Sequence, residues 1–267
     1  MRKQKDKKVV YYQDELKDDF AGTKIKTKTV DKNFKFIHTN PFWRFCSFLL
    51  YYCIGVPFMA IYMCLILRVK FVNKKVIKKS QPCFFYGNHT GVIDAFIPNL
   101  MLLPRRNRIV VSPDTISIKN LKNISQMFGA LPIPTKLSGM KKFVQAIDYY
   151  HKRQHITIYP EAHIWPYYTK VRPFTDASFS YPVKYNAPTI AFFTAYTKPK
   201  GFSSCFRKAN ITIYISDPLY PDEGLTGKDA QKNLRDKVYN FMIEKSKFST
   251  YEVIEYRKKE DETQKED

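Results

Sequence analysis

The chain contains no Gly-x-Gly-x-x-Gly run, no phosphate loop closing in Gly-Lys-Ser/Thr, no His-Glu-x-x-His and no Gly-x-Ser-x-Gly elbow. Those are the local devices that hold a dinucleotide, a nucleoside triphosphate, a catalytic zinc or a serine nucleophile, so these four chemistries lack their usual carriers. Cysteine is scarce: there are five, without Cys-x-x-Cys spacing, and Cys46, Cys53 and Cys64 fall in one apolar block. They read as small buried hydrophobes in a reducing compartment, neither disulfides nor metal ligands. Negative charge is thin, with 24 acidic residues against 45 Lys and Arg and a formal charge of +21. Such an excess calls for a polyanionic partner, either nucleic acid or an anionic membrane surface. No internal repeat or low-complexity tract is present.

Residues 1–35 are polar and Lys-rich, with an acidic patch at Asp14, Glu15, Asp18 and Asp19, and carry neither an apolar h-region nor a cleavage site. They read as a mobile arm or one lying on lipid. Charge then vanishes altogether from Phe45 to Leu67. As a helix this stretch would reach about 35 Å, enough for one span. Gly55-Val56-Pro57 divides it, however, and basic residues flank both sides, among them Lys35 and Arg44 before it and Arg68, Lys70, Lys74 and Lys75 after it. A helical hairpin over residues 36–79, dipping into one leaflet, keeps both flanks on the cytoplasmic face; a single span is the other reading. The many Phe and Tyr in and near this block favour a membrane over nucleic acid as the partner.

From residue 80 to 250 strands and helices alternate. Strands are expected over 83–86, 108–112, 156–159, 189–195 and 210–216, and helices over 94–103, 117–127 and 139–151. Thr226-Gly-Lys-Asp229 has the form of a capping box, and Ala230, Leu234, Val238, Phe241 and Met242 supply the stripe of a last helix. The fold class is therefore α/β, a mostly parallel sheet flanked by helices and preceded by the membrane hairpin. Residues 251–267 form a charged tail, expected to be disordered from Arg257 onward.

Within this frame Cys83-Phe-Phe-Tyr-Gly-Asn-His89-Thr-Gly-Val-Ile-Asp94 ends a buried strand in a loop that carries a His and, five positions on, an Asp. A His acting as general base keeps one ring nitrogen for substrate while a carboxylate holds the other N–H. His89 takes the first part and Asp94 the second; in the bland alternative His89 is a loop residue and Asp94 a helix cap. The Asn88-His89 and Asp94 pattern resembles the His-four-spacers-Asp motif of the glycerolipid acyltransferases, the lysophosphatidate acyltransferases among them. About seventy residues on, Ile156-Thr-Ile-Tyr-Pro-Glu161 resembles the aromatic-Pro-Glu block of the same family. The likeness extends over residues 80–220.

What the resemblance implies is acyl transfer to a lysophospholipid hydroxyl, first of all that of 1-acylglycerol-3-phosphate. The donor would be acyl-CoA or acyl carrier protein, with no bound cofactor and no metal. Glu161 is then expected to bind substrate. The Gly-Thr-Arg that usually follows is replaced by Ala162-His163-Ile164, so the acceptor charge falls to Lys136, Lys170 and Arg172, with His163 and Trp165 near the pocket. An acyltransferase for another lipid acceptor and a non-catalytic lipid-binding protein of the membrane surface remain as alternatives. Nucleic acid is not expected as a partner.

Overall fold

Short apolar runs bounded by turn residues fold into strands whose alternate side chains feed two opposite cores. A computed structural model describes residues 8–20, 25–79, 81–201 and 207–259. The strands are β1 (Lys8–Tyr12), β2 (Lys70–Val72), β3 (Phe84–Gly87), β4 (Asn107–Val111), β5 (Ala130–Pro132), β6 (His155–Ile158), β7 (Thr189–Thr197), β8 (Asn210–Ile215) and β9 (Ile254–Lys258). Seven form one sheet in the order β2-β8-β7-β3-β6-β4-β5. Strands β7, β3, β6, β4 and β5 run parallel, β8 is antiparallel to β7, and β2 follows β8 at the edge. The expected mostly parallel sheet flanked by helices is what forms.

Phe84 and Tyr86 point to one face, where Phe143, Ala146 and Ile147 of the helix Met140–His151 and Leu234, Val238 and Met242 of the helix Gly227–Ser246 cover them. Phe85 points to the other, against Ile97, Met101, Phe192 and Met63. Strand β3 is buried on both sides, which is why its sequence reads as a continuous apolar run. Thr226 stands at the N-cap of the last helix, but its side chain makes no capping bond, so the expected box is not formed.

The uncharged block departs from expectation. Pro41–Ile66 is one helix of 26 residues, not a hairpin. Gly55 (φ −69°, ψ −51°) and Val56 stay right-handed, and Leu49–Gly55 winds as a π-helix in which Val56 N–H reaches Tyr51 O, five residues back. Pro57 follows that π turn directly. The wide π turn accommodates the proline ring without a break.

The same winding aims the helix. Its buried positions Ser47, Tyr51, Gly55 and Met63, with Met59 partly buried between, recur every fourth residue. In a plain α-helix such a row drifts by about 40° per step, and the π turns at Leu49–Gly55 and Tyr62–Ile66 unwind that drift. One straight seam thus packs on the domain while Phe45, Phe48, Ile54, Phe58, Ile61 and Leu65 face outward. Cys53 and Cys64 lie on the exposed side and Cys46 is half-buried, correcting the view of all three as buried hydrophobes.

Neither terminus behaves as a free tail where it is described. Strand β1 pairs in parallel with β9, which includes Arg257. Val30, Phe34 and Phe36 are buried in the main core, since these apolar residues of the Lys-rich stretch find the end of the sheet uncovered. Residues 1–7 and 260–267, parts of the expected arm and tail, lie outside the described residues.

A Cβ at Gly55 would stand 2.0 Å from the Phe128 ring. Gly55→Leu should therefore lower unfolding stability by about 1–3 kcal/mol, measured by denaturation in detergent. The exposed Phe58→Leu should leave it unchanged, and equal effects would show that the seam is not a packed contact.

Candidate active site

The dyad stands where the parallel sheet ends. His89 follows the C-terminal end of β3, Tyr159 and Glu161 follow that of the neighbouring β6, and β7 flanks β3 on its other side. The chain passes from β6 across β3 to β7, the kind of reversal at which open α/β sheets leave a crevice. Gly87 is needed there for space: a Cβ would stand 2.2 Å from the Phe192 ring. Gly91, at φ 175°, has extended backbone, and its carbonyl accepts the Asp94 N–H at 3.1 Å as the 3-10 turn Val92–Ala95 begins.

Every part of the 88–94 loop is tied down. Asn88 exchanges hydrogen bonds with Thr194, receiving its N–H at 2.8 Å. The His89 and Thr90 carbonyls accept from Trp165 N and Tyr167 N. Thr90 Oγ1 lies 2.8 Å from Tyr196 Oη. Asp94 Oδ2 accepts the N–H groups of Thr90 (2.6 Å) and Gly91 (2.8 Å) and lies 3.1 Å from His89 Nδ1.

The tautomer follows from this pattern. A carboxylate oxygen accepting two backbone N–H groups is an acceptor toward its third neighbour, so Nδ1 carries the proton and Nε2 keeps its lone pair. The Asp94 side chain is 1% exposed and that of His89 is 17% exposed, so the carboxylate is sealed while the imidazole edge meets solvent. Tyr159 stacks on the imidazole with centroids 4.5 Å apart and donates its hydroxyl to Asp94 O. Burial, reinforced by Asp94, raises its phenol well above the ordinary value and keeps it a neutral donor. Tyr159 is the partner that sequence reasoning passed over; its place in the aromatic-Pro-Glu block is the available signal.

The other expected residues divide. Glu161 reaches the dyad, but from behind: it is buried, with Oε2 accepting His89 N–H at 3.1 Å and Oε1 accepting Arg172 N–H at 3.1 Å. Arg172 Nη2 completes an ion pair with Oε2 at 3.1 Å. Burial raises the Glu161 carboxyl above its usual value, against the opposing pull of Arg172 and the two N–H groups. Arg172 is 0% exposed and also donates to the carbonyls of Glu15 and His163. It is sealed away from an acceptor phosphate: its Nη groups are engaged by Glu161 and by backbone carbonyls, and its Nε is buried without a hydrogen-bond partner among the described residues. Trp165 is likewise sealed, packed by Tyr12, Phe20 and Tyr256 rather than lining a pocket. His163 is partly exposed, with Nδ1 3.8 Å from Asp19 Oδ2. Lys136 and Lys170 are exposed, and Lys136 follows the edge strand β5, three strand spacings or roughly 14 Å from β3. Among the described residues no group of three or more His, Cys, Asp or Glu could hold a metal.

An imidazole oriented by a sealed carboxylate, with one ring edge open to solvent, is an arrangement able to take a proton from a bound hydroxyl. Residues 68–195, which carry the dyad, match the family model described as Acyltransferase. Over that stretch the chain is similar to the acyltransferase family. No curated protein sequence matches it. Among solved structures, the 1-acyl-sn-glycerophosphate (LPA) acyltransferase PlsC from Thermotoga maritima is similar over 66% of this chain and 71% of that one, at 14% identity and a TM-score of 0.46.

Glu161→Gln keeps the shape but leaves the Arg172 charge buried without its partner, and should lower stability by about 3–5 kcal/mol together with turnover. Urea unfolding and single-turnover rates check this. A rise in acceptor KM with stability intact would instead make Glu161 a substrate contact.

Proposed function

We propose that the protein transfers a fatty acyl group from a thioester, acyl-CoA or acyl carrier protein, to the free hydroxyl of a lysophospholipid, with 1-acylglycerol-3-phosphate the leading acceptor. The observation that carries this reading is the His89–Asp94 contact with Nε2 left free at the sheet end. His89 Nε2 takes the hydroxyl proton as the oxygen attacks the thioester carbonyl, forming a tetrahedral oxyanion. The oxyanion collapses, the C–S bond breaks, and the thiolate leaves with the proton returned by the imidazolium. Asp94 stabilises that imidazolium and holds the ring in its tautomer, and no acyl-enzyme is needed.

Lys170, which follows the Glu161 block, stays as the proposed cation for an acceptor phosphate, acting as a point charge, whereas Lys136, roughly 14 Å from β3, would serve only an acceptor that reaches the sheet edge. The protein would sit on the cytoplasmic face of an anionic membrane, with the outer face of Pro41–Ile66 in the hydrocarbon and its inner seam on the domain. Support for this monotopic arrangement comes from the basic flanks at both ends and from Met63, which is buried in the core on the Phe85 side of the sheet.

His89→Ala should abolish transfer to lysophosphatidate, and Asp94→Asn should lower kcat by about 10²–10⁴-fold with little change in acceptor KM. The assay is radiolabelled acyl transfer with lysophosphatidate, lysophosphatidylcholine and monoacylglycerol offered in parallel. Near-normal turnover by folded His89→Ala protein would sink the mechanism, and preference for monoacylglycerol would sink the phosphate acceptor. For topology, Lys32→Cys and Lys75→Cys should both be shielded from an impermeant thiol reagent in sealed cells and both labelled after lysis. Labelling of one alone in sealed cells would establish a span.

A further inference from the structure

At the opposite end of the sheet the chain gathers positive charge that acyl transfer does not use. Arg106 precedes β4 and Arg108 lies in its first turn of pairing, whereas His89 follows the other end of β3. Arg108 is 9% exposed. Its Nε donates to Gln154 Oε1 at 2.8 Å, Nη1 donates to Gln126 O at 3.4 Å, and the guanidinium stands 3.8 Å from the centre of the Tyr150 ring. The Arg106 guanidinium lies 4.7 Å from the Tyr51 ring centre, and its Nη2 donates to Ser47 Oγ and Met127 O. Its Nε is buried with no hydrogen-bond partner, and so is Nε2 of the adjacent His38.

These groups line a cavity of about 440 Å³ that Arg44 and Arg153 also border, and no carboxylate is among its lining residues. Carbonyls, an amide, a hydroxyl and two rings satisfy individual donors, but none supplies a countercharge. A buried cation without one is costly, and two arginines that repel each other are more so. Burial lowers the pKa of both, that of Arg108 to about 10, with the Arg106 charge contributing. His38 is held below its ordinary value by burial, with Lys35 and Arg108 adding to the effect. Four guanidinium forks around one cavity suit a phosphate, which accepts them two donors at a time.

The walls say where that phosphate comes from. Trp43, Phe45 and Phe48, from the first turns of the apolar helix, close one side of the cavity, and Phe45 and Phe48 are themselves 58% and 51% exposed. A charged cavity opening onto exposed aromatic rings has the profile of a bilayer's boundary between headgroup and hydrocarbon. We propose that this cavity binds the phosphate of an anionic phospholipid, with Arg106 and Arg108 at its floor and the acyl chains along the Phe45–Phe48 face of the helix. Bound there, the lipid neutralises the arginines, pins the start of the apolar helix to the domain, and orients the protein on the membrane without occupying the site at His89. The inference goes beyond acyl transfer and does not depend on which acceptor is used.

The test is thermal unfolding of the full chain in non-ionic detergent with short-chain lipids, which avoids the general attraction of a basic protein to a charged bilayer. Dihexanoyl phosphatidylglycerol should raise the midpoint by about 5 °C near saturation, and dihexanoyl phosphatidylcholine, whose headgroup carries its own cation, should not. In the Arg106→Met/Arg108→Met protein the lipid affinity should fall at least about tenfold, while the midpoint without lipid stays level or rises because an uncompensated charge is gone. Should that double variant fail to fold, Arg153→Met at the exposed rim, compared with Lys228→Met on the distant last helix, should weaken binding selectively. His89→Ala should keep the full shift. Equal shifts with both lipids, a shift untouched by the arginine changes, or one abolished by His89→Ala would each overturn the proposal. Inorganic phosphate matching the lipid at equal concentration would overturn the lipid assignment in favour of a free anion.

Discussion

Glu161 and Arg172 form a buried ion pair, and the placement of the catalytic loop depends on it. One carboxylate oxygen receives both the Arg172 guanidinium and the His89 N–H, while the other receives the Arg172 N–H. A single side chain therefore fixes the backbone at His89 and the loop over 161–172 relative to each other. The desolvation of the pair is offset by its close geometry and by further guanidinium bonds to the Glu15 and His163 carbonyls, although Arg172 Nε stays buried without a partner among the described residues. In this arrangement Glu161 of the aromatic-Pro-Glu block holds the His89 backbone from behind, and the exposed edge of the imidazole lies on the other side.

The pair needs dry surroundings, and the two ends of the chain provide them. Trp165 stacks on Tyr256 of β9, lies against Tyr12 of β1, and donates its indole N–H to Asp18 O. The acidic stretch around Glu15 and Asp18 thus works as a local clasp for the loop that carries Glu161 and Arg172. This explains why acidic residues cluster in an otherwise basic segment: Asp18 and Asp14 bind nearby backbone N–H groups, and Asp19 holds Ile164 N–H.

The apolar helix joins the two ends of the sheet. Its first turns border the arginine cavity at the strand starts, and Met63 near its end is buried in the core on the Phe85 side of the sheet. The π turns make this possible by keeping one face of a long helix toward the domain. A straight α-helix with the same residues would rotate part of the seam into solvent within a few turns. An exposed apolar surface and a domain-facing surface coexist on one element for that reason.

How much of this is legible in the residues follows from the range of the interactions. His89 and Asp94 can be read directly, because five positions of one loop suffice to bring them together. The buried strands β3, β6 and β7 can be read as apolar runs, and the last helix from its stripe at Ala230, Leu234, Val238 and Met242. The absence of charge from Phe45 to Leu67 likewise marks an apolar helix. The strands β1 and β9 escape such reading, since each is short, carries charge and has its partner at the other end of the chain. The continuity of the helix through Pro57 is also beyond local rules, because it rests on a π turn stabilised by packing against Phe128 and Asn99. The position of Arg172 is the clearest instance. Its residue type marks it as a phosphate ligand or a surface cation, and only the fold, by burying it against Glu161 where water cannot screen either charge, makes it the support of the catalytic loop.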